Sequence, residues 1–201
     1  MKKKLLALTL SSLVCATGAS AQSLVTTYVE GNLAIYPGVS GETPLGIDLR
    51  GAIELNEMTG VDNLFAFAGY RYLTDKTDYS NLYFGAGYNH SVDSQTRIWG
   101  GANLEYQKVE YDETYCFHPG VCSSRSGSFN DTSIALRGGL RHQHSHELEF
   151  GGELRLVTGD FDYLGIKGFT RFFFEEDLYA IGEVDIQDGD LGLVIGLGKV
   201  F

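Results

Sequence analysis

Apolar and polar residues alternate one by one along most of this chain, and that period of two constrains its fold more than any other feature. Leu45, Ile47, Leu49, Gly51, Ile53 and Leu55 interleave with Gly46, Asp48, Arg50, Ala52, Glu54 and Asn56. In an extended strand, successive side chains point to opposite sides, so the first set lines one face and the second set the other. Val25, Thr27, Val29, Gly31, Leu33 and Ile35 stand likewise against Tyr28, Glu30 and Asn32, and Leu82, Phe84, Ala86 and Tyr88 share one face. Ile98, Gly100, Ala102, Leu104 and Tyr106 oppose Arg97, Trp99, Asn103, Glu105 and Gln107. Further on, Ser133, Arg137 and Arg141 fall on one face of a strand, Glu149, Glu153 and Arg155 on one face of the next, then Lys167 with Arg171, then Glu183 with Asp185. Only Leu64 to Tyr72 fits either parity, and its facing stays open.

Turn-forming clusters separate these runs: Pro37 to Pro44, Glu57 to Asn63, Asp75 to Tyr79, Ser91 to Gln95, Asp112 to Gly127, Gln143 to His146, Gly159 to Asp162, Glu175 to Asp177 and Asp188 to Asp190. Nine connections join ten strands, with eight as the alternative if two weaker runs merge into loops. The N-terminus reads differently. Lys2, Lys3 and Lys4, the apolar run Leu5 to Val14 and Ala19-Ser20-Ala21 match the charged, apolar and A-x-A parts of a secretory signal peptide. The expected organisation is a cleaved signal over residues 1–21 and one barrel domain over 22–201. Cys15 follows Val14, where a lipoprotein site wants a smaller residue. The chain has a formal charge of −11, and losing the three signal lysines makes it more acidic. Such a chain is repelled by nucleic-acid phosphates, so no nucleic-acid partner is expected.

A soluble barrel turns its apolar face inward and packs it with bulky side chains. Here the apolar face is dotted with Gly51, Gly100, Gly138, Gly152, Gly168 and Gly182, which would fill a core poorly but suit lipid tails. The polar face carries Trp99, Tyr83, Tyr179 and the arginines, as a narrow lumen would require. Lipid forces closure, because an open strand edge leaves unpaired N–H and C=O groups in hydrocarbon. The expected fold is therefore all-β: a closed antiparallel transmembrane β-barrel.

The final stretch, Leu193 to Phe201, alternates and ends on an aromatic residue. It resembles the terminal strand of bacterial outer-membrane proteins, which implies that Phe201 is read by the barrel-assembly machinery. With the signal peptide and hairpin pattern, the whole mature chain resembles small Gram-negative outer-membrane β-barrels of the OmpA/OmpX type, often filed as porin-family proteins. The resemblance implies an address in the outer membrane, with outer-membrane lipids and lipopolysaccharide as partners. Both termini of an even-stranded barrel then face the periplasm.

Cys116 and Cys122 lie in one connection and, in an oxidising compartment, are expected to form a local disulfide. So small a ring contributes about 2 kcal/mol, with a metal or redox role as the alternative. The parity assigns to the lumen Glu30, Asp48, Glu54, Glu105, Glu149, Glu153, Glu183 and Asp185, with Arg50, Arg97, Arg137, Arg141, Arg155, Lys167 and Arg171. Near-balanced charge points to ion pairs that block the bore, with a selective pore as the alternative. His142, His144 and His146 would share a strand face able to hold a metal, if they do not simply form a polar turn. Glu42, Asp75, Asp78, Asp112, Glu113, Asp160, Asp162, Asp188 and Asp190 make acidic outward loops suited to divalent cations or merely to water. Asn89-His90-Ser91 faintly resembles lipid A deacylase barrels but falls at the periplasmic end. No cofactor motif is present. The functional expectation is a non-enzymatic outer-membrane protein serving envelope integrity or surface interaction, with a small passive channel and a lipid-modifying enzyme as alternatives.

Overall fold

The computed structural model describes residues 24, 26–37, 42–118 and 121–201, with the backbone alone over 112–125. Ten antiparallel strands follow chain order around a closed barrel, and β1 pairs with β10 to seal it. They are β1 (Tyr28–Ile35), β2 (Leu45–Glu54), β3 (Leu64–Thr74), β4 (Thr77–Ser91), β5 (Thr96–His118), β6 (Val121–Gln143), β7 (Leu148–Thr158), β8 (Tyr163–Phe173), β9 (Leu178–Gln187) and β10 (Asp190–Val200). One helical turn, α1 (Asn56–Thr59), lies between β2 and β3 and stops at Gly60, whose φ of 69° takes the left-handed conformation that glycine adopts freely.

The barrel is inside out relative to a soluble protein. Leu33, Leu197 and Ile195 are 62%, 62% and 65% exposed on the outside, while Glu105 and Asp185 are fully buried within. Nine strands present the faces that alternation assigns. β3, ambiguous in sequence, turns Phe65, Phe67, Gly69, Arg71 and Leu73 inward.

The connection expected over Asp112 to Gly127 is mostly strand. β5 and β6 are 23 residues each and stay paired through Cys116 opposite Cys122 and, after a register shift, to His118 opposite Val121. The backbone partners explain the difference. β4 accompanies β5 as far as Tyr111, and β7 leaves β6 at Ile134, so beyond those points the two strands run on as a ribbon paired with each other, in a stretch whose sequence shows no alternation. The turn expected from Asp75 to Tyr79 is also shorter, since β4 already starts at Thr77.

The charged lumen as candidate functional site

Glu30 is the centre of the lower lumen, the end nearer both chain termini. Arg50 lies directly opposite it on β2 and donates from Nε at 2.5 Å, and Arg171 reaches it from β8 at 2.6 Å. Tyr179 on β9 donates its hydroxyl to the same carboxylate at 2.8 Å. Arg171 continues to Glu149 at 3.0 Å, which also accepts two bonds of 2.8 Å from Arg141. On the other side Arg50 reaches Glu183 at 2.7 Å, and Lys167 lies 3.9 Å from Glu183 and 3.1 Å from Glu153. Arg137 closes the chain between Glu153 at 3.5 Å and Glu105 at 2.5 Å. Opposite charges thus alternate without a break from Arg141 to Glu105.

A second cluster sits nearer the far end, where Arg71 spans Asp48 at 2.6 Å and Asp185 at 3.0 Å. Tyr36 donates to Asp185 at 2.7 Å and accepts from Arg71, and Arg155 approaches Asp185 at 3.5 Å. Arg97 donates to the Leu24 carbonyl at 2.6 Å and lies 3.8 Å from Glu54, tying the segment before β1 into the lower mouth. Every residue that sequence parity assigns to the lumen charge set lies in one of these groups. Among the described residues of the lumen, eight acids meet eight bases within ion-pair distance. The eighth base is Arg71. It escaped sequence reasoning because β3 is apolar on both faces around it, and the expected surplus of one acid was the only trace of it.

Two glycines on β10 make the long reaches possible. Gly198 lies between Tyr179 and Glu30 in the strand register, and a Cβ there would collide with the Tyr179 ring. Gly192 lies opposite Asp185, and a Cβ on it would collide with the Tyr36 ring. In both places a tyrosine lies flat across a bare backbone to reach an acid beyond it. Other inward rings form a wall on β3, β4 and β5. Trp99 stands edge-on to Phe65 and Phe67 at 5.9 and 6.3 Å, and Arg137 stacks on Tyr83 at 4.2 Å.

The packing divides the lumen. A cavity of about 80 Å³ lies in the lower half, and another of about 310 Å³ opens at the far end. Between them, the space enclosed by Arg50, Arg71, Tyr83, Arg137, Arg155 and Tyr163 amounts to about 10 Å³, no more than one water molecule needs.

The three histidines do not assemble. His142 sits on β6 against Thr96 Oγ1 at 3.0 Å, whereas His144 and His146 lie exposed in the turn that follows, so the chain reversal separates the three rings. No cluster able to hold a metal occurs among the described residues. Cys116 and Cys122 are opposed in backbone register, and their side chains lie outside the described residues, as do those of Asp112 and Glu113. Phe201 is exposed just past β10, and its N–H donates to the Thr27 carbonyl.

No family model and no curated protein sequence matches the chain. Among solved structures it is similar to the KdgM porin, at 11% identity over 87% of this chain and 99% of that one, with a TM-score of 0.48. It is also similar to Ail, the attachment invasion locus protein of Yersinia pestis, at 12% identity over 87% and 95% of the two chains, TM-score 0.43. A third is the Acinetobacter baumannii outer membrane protein Omp33, at 9% identity over 90% and 100%, TM-score 0.40.

Proposed function

We propose that the chain is a non-enzymatic, non-conducting barrel of the outer membrane that serves envelope integrity and presents the β5–β6 ribbon for surface interaction. The observation that carries this reading is the lumen, where every one of eight acids and eight bases has a partner and the middle is filled. The address is supported by the continuous apolar exterior, by the signal-like residues 1–21 and by the terminal Phe201 as an assembly signal. Outer-membrane lipids and lipopolysaccharide would cover the exterior. The barrel should be recovered in the outer-membrane fraction, migrate heat-modifiably on SDS gels and leave planar bilayers silent. Solubility in a periplasmic extract would overturn the address, and steady porin-like conductance would overturn the closed lumen in favour of a channel. Lipid A mass profiles that change on deleting the gene would reinstate an enzyme.

The proposal includes the Cys116–Cys122 disulfide. Directly opposed antiparallel residues have Cα atoms about 4.5–5.5 Å apart, within the range a disulfide spans. Thiol labelling of the folded protein without reductant should find neither cysteine free, and replacing both with Ser should leave the barrel folded. Free thiols in protein taken from cells would defeat the pairing.

A further inference from the structure

The cavity of about 310 Å³ at the far end of the lumen is not used by the ion-pair network beneath it. Tyr36, Leu73, Tyr79 and Val109 line its interior, and Glu42, Asp188 and Asp190 stand around it. The tyrosine hydroxyls are engaged elsewhere, Tyr36 with Asp185 at 2.7 Å and Tyr79 with Gln107 at 3.0 Å. What the two residues offer the cavity is ring surface, continuous with a buried apolar cluster of Ala34, Tyr36, Leu73 and Val194. Among the described residues, no base lies within ion-pair distance of Glu42, Asp188 or Asp190. These carboxylates therefore differ from every acid deeper in the lumen, each of which has its own cation.

Acids without a counter-charge, set over aromatic and aliphatic surface in a concave space, select against anions and leave a neutral ligand nothing ionic to gain. A cation with an apolar body satisfies both parts, through charge-assisted hydrogen bonds to the carboxylates and contact with the rings. We propose that this vestibule binds a small organic cation, with its ammonium group toward the acidic lining of Glu42, Asp188 and Asp190 and its body on Tyr36, Leu73 and Tyr79. Because the space enclosed beneath it amounts to only about 10 Å³, the site would hold its ligand at the far end of the lumen.

The test is calorimetric titration of the mature barrel in lipid nanodiscs with 2-phenylethylammonium chloride, with 2-phenylethanol as the uncharged analogue and empty nanodiscs as the blank. The ammonium compound should bind saturably at one site, at least tenfold tighter than the alcohol. Replacing Asp188→Asn together with Asp190→Asn should weaken it tenfold or more. Asp188 has a φ of 51°, which Asn also tolerates, so the turn and barrel survive, as heat-modifiable migration would verify. Tyr79→Leu should weaken both ligands. Equal affinity for the alcohol, unchanged binding in the Asp188→Asn, Asp190→Asn protein, or no saturable heat above empty nanodiscs would each overturn the site. None of these readouts depends on where the protein resides or whether it conducts.

Discussion

Replacing Glu30 with Ala is expected to destabilise the barrel by about 3–5 kcal/mol, the scale of breaking a buried ion pair from one side. Glu30 is 2% exposed and accepts from Arg50, Arg171 and Tyr179 together. Its loss leaves two guanidinium groups facing each other with one carboxylate fewer between them. Arg50 keeps Glu183 and Arg171 keeps Glu149, so the barrel should still close, but at a lower urea midpoint. Glu30→Gln, which keeps the volume and one acceptor, should lose less. Equilibrium urea unfolding in lipid vesicles measures both, and a Glu30→Ala loss below about 1 kcal/mol would show that the centre of the network carries little stability.

Replacing Arg71 with Ala is expected to open a cation leak where the wild type is silent. Among the described residues, Arg71 is the only base within ion-pair distance of both Asp48 on β2 and Asp185 on β9, and its guanidinium lies 5.3 Å from the centre of the Tyr36 ring. Removing it opens the middle toward the far vestibule, leaves Asp48 without a base and leaves Asp185 with Arg155 alone. A net excess of acid lining a bore favours cations over anions. Planar bilayers should show small, steady, cation-selective currents, reduced in Arg71→Lys, which restores the charge without the fork that grips both acids. A correctly folded Arg71→Ala barrel that stays silent would place the seal elsewhere, at Arg137 or Arg155.

Strand facing was legible wherever one face carries charge, because lipid outside and paired ions inside impose opposite chemistry on neighbouring residues. β3 defeated that logic. Its inward Phe65 and Phe67 belong to the ring wall against Trp99 and look no different in sequence from the outward Ala66 and Tyr70. Past Tyr111, where β4 no longer accompanies β5, Asp112-Glu113-Thr114 and Ser123 to Gly127 show no apolar–polar alternation, so a strand reads as a loop. Which acid meets which base could not be read either, since Glu30 and Arg171 are brought together only by the stagger that closes the sheet. The inward glycines carry a signal of their own: on β10, Gly192 and Gly198 stand on the inward face, where filling space is required, and each marks a ring lying over it.

The ties across the lumen also bear on time. Glu30 to Arg171, Arg50 to Glu183 and Arg71 to Asp185 each join the β1–β3 side to the β8–β9 side, across the β1–β10 seam. None can form before the first and last strands meet, so folding gathers these contacts late, after most of the chain is already in place. Interactions absent from the transition state slow unfolding rather than speed folding. The seam therefore behaves as a latch that engages last and must be undone at several points before the barrel can open, which makes the inserted protein long-lived for kinetic reasons.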